Sequence, residues 1–317
     1  MSGDISDNPV PVPETAIKHI TISDPENGDE DNLAFTYDNE GRVKEISGLR
    51  FSSSEQSPYR YIYKISYEDG KILIDGDDGM SMEATLDDNG RTSEVRYSQT
   101  DGYMTVHSEI SLSYDSDGYL VQDTETTEGH SDYTTSYIWT DGNIVSVRHE
   151  YYDSEYRYSS HPNTGNIDLN WLLTAGYGSS LAPLGMLNLT GKRCENYVWP
   201  DYWDTAYETP DIMLMVCEDD LYKPVTKEGF HYRDGEKEIQ YEFNGPENCL
   251  SSIHAETPVE RVHYTQTGSI TYWNPEAYEI REDGKKYFYV LDIDWGEEKE
   301  TWTETARTDI LEVTIEY

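Results

Sequence analysis

Apolar and polar residues alternate with a period of two along much of the chain, the pattern of strands that bury one face and leave the other in water. Tyr59, Tyr61, Tyr63, Ile65 and Tyr67 share one face, with Arg60, Lys64 and Ser66 opposite and Ile62 an exception. Met104, Val106, Ile110, Leu112 and Tyr114 alternate with Thr105, His107, Glu109, Ser111 and Ser113. The C-terminus repeats the pattern, with Leu311, Val313, Ile315 and Tyr317 against Glu312, Thr314 and Glu316. Between such runs a turn recurs: an aromatic or apolar residue, a few polar residues including an acid, then Gly. Copies end at Gly41, Gly70, Gly90, Gly118, Gly142, Gly235 and Gly284. Gly supplies a positive φ, and Asp or Asn bonds the local backbone, so each copy predicts a hairpin. The turns are irregularly spaced, roughly 20 to 30 residues apart, as one hairpin per repeat with varying outer loops predicts, and roughly 16 to 20 strands result. The predicted fold is all-β: an antiparallel meander of many hairpins forming a large soluble barrel or strongly curved sheet, with its core on one side.

Residues 167–189, IDLNWLLTAGYGSSLAPLGMLNL, break the alternation. This most apolar stretch predicts a short helical or irregular insert of one or two helices that fills the core; insertion into a barrel mouth is the alternative. The first residues, MSGDISDNPVPVPET, are polar and Pro-rich. They predict a flexible tether over 1–16, followed by one β-meander domain over 17–317, of which 258–317 are either integral strands or an extension.

Composition narrows the function classes. Of 317 residues, 63 are Asp or Glu and 23 Lys or Arg, a formal charge of −40. That field repels phosphate backbones and excludes nucleic acid as a partner. It is equally the mark of a highly soluble surface, or of one that attracts Ca²⁺ and cationic partners. Tyr supplies 28 residues against 7 Trp and 5 Phe, which suits thin sheets whose aromatic rings face a core and whose hydroxyls reach water. Cys194, Cys217 and Cys249 allow at most one disulfide and fit buried free thiols better. No apolar run is long enough for a transmembrane helix.

The copies Tyr37-Asp38-x-x-Gly41-Arg42 and Tyr114-Asp115-x-x-Gly118 resemble the Tyr-Asp repeats of bacterial secreted and surface proteins. The wider layout is similar to a family of unknown function found in gut-bacterial lipoproteins and described as porin-like. The acidic Pro-rich start, the serial hairpins from 17 to about 160, the stretch Asn163–Trp171 and a late strand pair near Tyr241 to Ile253 carry this resemblance. It implies a porin-like β fold and export, with Met1 replacing a removed export signal and a lost N-terminal lipid anchor tethering the protein at the cell surface or in the periplasm. It implies no catalytic residues. A lipid-facing barrel needs an apolar outer face on every strand. Tyr119–Thr127 fails this, because Asp123 and Glu125 lie on one face and Gln122, Thr124 and Thr126 on the other.

Few residues carry candidate chemistry. Asp75, Asp77 and Asp78 form the densest short acidic cluster, which reads either as a solvated turn or as a calcium loop. Tyr197, Trp199, Tyr202 and Trp203 interleave with Pro200, Asp201 and Asp204; they are either a contact for a glycan or a protein, or a plug at the sheet edge. The histidines lack metal-ligand spacing, and no nucleophile elbow or phosphate loop is present. The sequence therefore points to a non-catalytic binding or scaffold module. A carbohydrate-active hydrolase using paired carboxylates and a calcium-stabilised structural protein are the alternatives.

Overall fold

The computed structural model describes residues 13–26, 28–51, 57–101, 104–127, 132–150, 153–174, 181–199 and 215–317. The predicted tether lies outside the described residues as far as residue 12. Its last part is described, and there Ala16 is buried. The chain forms two compact units, one of Met1–Tyr202, Ile239–Ala255 and Ile310–Tyr317, the other of Trp203–Glu238 and Glu256–Asp309.

The first unit is an antiparallel meander in sequence order: β1 (His19–Asp24), β2 (Asp29–Tyr37), β3 (Val43–Phe51), β4 (Tyr59–Glu68), β5 (Lys71–Gly76), β6 (Met80–Leu86), β7 (Thr92–Asp101), β8 (Met104–Tyr114), β9 (Leu120–Thr127), β10 (Tyr133–Thr140), β11 (Asn143–Arg148) and β12 (Asp153–Glu155). Each strand pairs with the next. A separate two-stranded ladder joins β13 (Tyr158–Pro162) to β14 (Asn196–Val198). The remaining strands are β15 (Met215–Cys217), β16 (Val225–Asp234), β17 (Glu238–Glu242), β18 (Ser252–Ile280), β19 (Lys286–Trp295) and β20 (Lys299–Glu316). The C-terminal part of β20 pairs with β1, placing Ile20 opposite Ile315 and Ile22 opposite Val313. The sheet is a large antiparallel meander and is not closed into a barrel.

One face of the meander carries the core, including Ile20, Ile46, Ile74, Ala84, Val95, Ile110 and Leu120. The predicted insert forms α1 (Leu169–Leu173) and α2 (Ala182–Met186). Asp168 caps α1 by accepting from the Asn170 N–H. Trp171 lies flat against Gly185, where any side chain would collide with the indole. Leu169, Trp171, Leu173, Leu184 and Met186 are all buried, so these helices fill core. Hydrogen bonds fasten the insert and its flanking residues to the strand ends in chain order. The Ile17 N–H meets Asn166 Oδ1 at 3.0 Å, Thr92 N–H meets Leu189 O at 2.8 Å, Lys192 N–H meets Gly118 O at 3.0 Å and Glu195 N–H meets Gly142 O at 3.0 Å.

The recurring turn does more than reverse the chain. Asp87 Oδ1 accepts from the N–H groups of Asn89 and Arg91, both at 2.9 Å, while Arg91 Nε donates to Asp87 Oδ2 at 2.9 Å. Asp38 binds Glu40 and Arg42 in the same way. Burial of Asp87 is outweighed by these bonds, and its carboxyl falls to about 2. The arginines then cover tyrosines, Arg42 over Tyr67 at 4.2 Å and Arg91 over Tyr114 at 4.5 Å. Four aromatic residues of the motif donate backwards to a backbone carbonyl. Tyr37 reaches Ile17 O, Tyr67 reaches Val43 O at 2.8 Å, Tyr114 reaches Thr92 O at 2.7 Å, and Trp139 Nε1 reaches Leu120 O at 2.7 Å. Burial pushes the Tyr67 hydroxyl up to about 12 despite Arg42, so it stays a donor at neutral pH. Gly235 departs from the prediction: its φ is not positive, and its N–H donates to Pro258 O at 2.7 Å instead of closing a hairpin.

In the second unit β16 pairs with β18, and β18 and β15 pair with β19. A small core of Val216, Leu221 and Phe288 is flanked by Val225, Ile270, Trp273 and Val290. Cys194, Cys217 and Cys249 are buried, and none of them forms a disulfide.

Removing one backward hydrogen bond leaves a carbonyl short of its partner, which costs about 1–2 kcal/mol. Tyr67→Phe and Tyr114→Phe are each expected to lose that much in urea denaturation. The half-exposed Tyr59, changed to Phe, is expected to lose less than about 0.5 kcal/mol. Equal losses at all three positions would remove the special role of the motif tyrosines.

Candidate functional site

The residues singled out from sequence occupy different environments. Tyr197 sits on β14 and is 1% exposed, its side chain bonded by the backbone of Thr164 and Gly165. Trp199 follows it, half-buried, its N–H donating to Arg157 O at 2.8 Å. Tyr202 and Trp203 lie outside the described residues. Asp75 is exposed on the polar side of β5, whereas Asp77 accepts from the Ile62 N–H at 2.6 Å. Asp78 turns towards the tyrosines of β4. Alternation along β5 and the turn after it therefore separates the three carboxylates. Among the described residues no three His, Cys, Asp or Glu side chains are grouped to hold a metal ion.

Asp78 instead completes a row of tyrosines on the core-side face. Tyr59, Tyr61 and Tyr63 follow one another on β4, with ring centroids 5.9 and 5.2 Å apart. The hydroxyls of Tyr63 and Tyr59 donate to Asp78 Oδ2 at 3.2 and 3.4 Å, while Asp78 Oδ1 accepts from the Met80 N–H at 3.1 Å. Gln99 donates to Asp78 O at 3.1 Å and accepts from the Tyr97 hydroxyl at 3.1 Å. Tyr61 donates to Asp31 at 3.4 Å. Two glycines make room for the rings. Gly48 faces Tyr61 and Gly76 faces Tyr63 across the ladder, and a Cβ at Gly48 would lie within the Tyr61 ring. The rings consequently lie down along the sheet in fixed positions. Burial, reinforced by Asp78, raises the Tyr63 hydroxyl well above the ordinary tyrosine range. Burial also raises Asp31, against the opposing charge of Arg50 and the Tyr61 bond. The row thus offers protonated hydroxyls, carboxylate oxygens and aromatic faces, and no activated nucleophile.

Sequence alternation placed Tyr59, Tyr61 and Tyr63 on one face, but their link to Asp78 depends on how the next hairpin folds back. The available signal was the pair of glycines inside strands, a sign of close approach by another group.

The same face carries Asp123 on β9, which is 7% exposed. It accepts the Tyr137 hydroxyl at 2.6 Å. Burial raises its carboxyl to about 6; the bonds from Tyr137 and Thr135 and the charge of His149 oppose this, and Glu125 adds to it. A raised carboxyl contributes stability while protonated. That contribution is complete below about pH 4 and is lost as the pH rises through 6. At about 1.4 kcal/mol per pH unit, it amounts to ~3 kcal/mol. Asp123→Asn keeps an acceptor for Tyr137 and removes the charge. Its unfolding free energy relative to the wild type is expected to rise by about 3 kcal/mol between pH 4 and pH 7 in urea titrations. A difference that does not vary with pH would refute this account.

No family model matches the chain, and no curated protein matches it. Among solved structures the chain is similar to a porin-like protein from Bacteroides uniformis, with a TM-score of 0.51 and 13% identity over 96% of this chain and 99% of that chain. At such identity the likeness establishes architecture alone: the chain has a porin-like β fold.

Proposed function

We propose that the protein is a non-catalytic binding module whose ligand is a glycan, held by the tyrosine and carboxylate row of the first unit. The observation that carries this reading is the fixed arrangement of Tyr59, Tyr61 and Tyr63 around Asp78, with Asp31 and Gln99 beside it. Flat aromatic faces stack on the C–H surfaces of sugar rings, and neighbouring carboxylates accept sugar hydroxyls. Rings pinned over glycine lose little freedom on binding, which favours affinity. A hydrolase of the two-carboxylate type needs an acid that reaches its substrate. Asp123 has the raised carboxyl such an acid would use, but it is nearly enclosed and already bonded to Tyr137, which favours binding over catalysis. Attachment at the cell surface or in the periplasm through an N-terminal lipid anchor belongs to the same proposal and is supported by the acidic, Pro-rich start.

A glycan array with the wild type and with Tyr59→Ala combined with Tyr63→Phe tests it. The double variant is expected to lose at least tenfold in affinity for the glycans that the wild type binds, with an unchanged circular dichroism spectrum. Absence of wild-type binding, or equal binding by the variant, overturns the proposal. Mass spectrometry of the native protein tests the anchor: a lipid-modified N-terminus is expected, and an unmodified Met1 excludes it.

A further inference from the structure

We infer that the second unit carries a separate stacking platform for a neutral pyranose ring, centred on Trp302. This indole lies on β20 and stacks on the imidazole of His263 from β18, with ring centroids 3.7 Å apart and planes 8° from parallel. Stacking covers one face of the ring. Trp302 is nevertheless 52% exposed, which a planar ring covered on one side reaches only if its other side is open. A lone surface aromatic is ordinary. Trp302 differs because its orientation is held from beneath. His263 packs in turn near Phe230, with centroids 5.9 Å apart, and its Nε2 lies 3.5 Å from Glu304 Oε1. Arg261 donates to Glu304 at 3.3 Å and to the Tyr232 hydroxyl at 3.0 Å.

The stack on His263 holds the indole plane, and a carboxylate acceptor, Glu304, and a guanidinium donor, Arg261, lie close to that imidazole. That combination fits a sugar, whose C–H face stacks while its hydroxyls bond the charged groups. Arg261 disfavours a cationic ligand. A flat aromatic ligand would use neither Glu304 nor Arg261. The overall charge of −40 disfavours acidic sugars. Neutral pyranoses remain. This platform stands on residues of the second unit and does not rest on the tyrosine row.

Affinity electrophoresis of the full chain tests it, in gels containing a soluble α-glucan, a mixed-linkage β-glucan, a galactomannan or a xylan, with polygalacturonate as the acidic control. The wild type is expected to be retarded by at least one neutral polysaccharide, and Trp302→Ala to weaken that retardation at least tenfold. Trp302→Tyr is expected to retain part of it. The same polysaccharide is expected to change the tryptophan fluorescence of the wild type and not that of Trp302→Phe, a readout that stays valid if the alanine variant folds poorly. The platform is overturned if no neutral polysaccharide retards the wild type, if only polygalacturonate does, or if Trp302→Ala behaves as the wild type. Loss caused by Tyr59→Ala with Tyr63→Phe and not by Trp302→Ala also overturns it, while leaving the first site standing. Loss caused by Trp302→Ala alone upholds the platform and removes the first site.

Discussion

An antiparallel sheet that faces water on one side must cover its other side, and in the first unit that need organises the rest. Its buried face is long, running from Ile20 on β1 to Val147 on β11. At the turn end, the apolar helices α1 and α2 lie in the core, with Asp168 capping α1 and Trp171 closing on Gly185 of α2. Asp168 is itself buried, and Arg193 and Asn163 share its charge and hydrogen bonding. Along β4 the covering is done by tyrosines that lie on glycines. Apolar filling and polar aromatic lining are thus two answers to one requirement. The second leaves hydroxyls and carboxylates facing whatever approaches.

Much of this architecture is legible in the residues. Period-two alternation locates the strands because a half-buried strand has no other economical pattern. The apolar segment 167–189 stands out because it lacks that period. The turn motif was readable only in part. Asp and Gly declare the reversal, since their local bonds and φ depend on nearest neighbours. The aromatic residue of the motif acts at long range, from Tyr67 back to Val43 and from Tyr114 back to Thr92, and turn chemistry alone does not require it. Gly235 misled for the converse reason: the local sequence fits a reversal, but pairing of β16 with β18 continues up to Asp234 opposite Val259. The tyrosine row was half visible, with its rings aligned by alternation and its carboxylate partner supplied by tertiary return of the chain.

Aromatic residues paired with glycine across a ladder recur in both units. Tyr264 faces Gly229 and Trp295 faces Gly268 in the second, as Tyr61 faces Gly48 and Tyr63 faces Gly76 in the first. Glycine weakens a strand by itself. An aromatic ring laid over it restores buried area and fixes the ring's direction. A sheet rich in Tyr and short of aliphatic residues can thereby stay ordered, and the same device holds rings in position for contact with a ligand.

The fastening of the insert to the strand ends has one more consequence. Asn166, Leu189, Lys192 and Glu195 meet Ile17, Thr92, Gly118 and Gly142 in the same order along both segments. A meander of identical hairpins has no intrinsic length, because each repeat offers the next the same edge. Here a short, irregular strip of chain is laid across the strand ends like a ruler, with its marks spaced for a fixed number of hairpins. Duplication or loss of one hairpin between Thr92 and Gly142 would leave every turn locally intact and the marks out of step. The least repetitive part of the sequence is what sets the count of the most repetitive part.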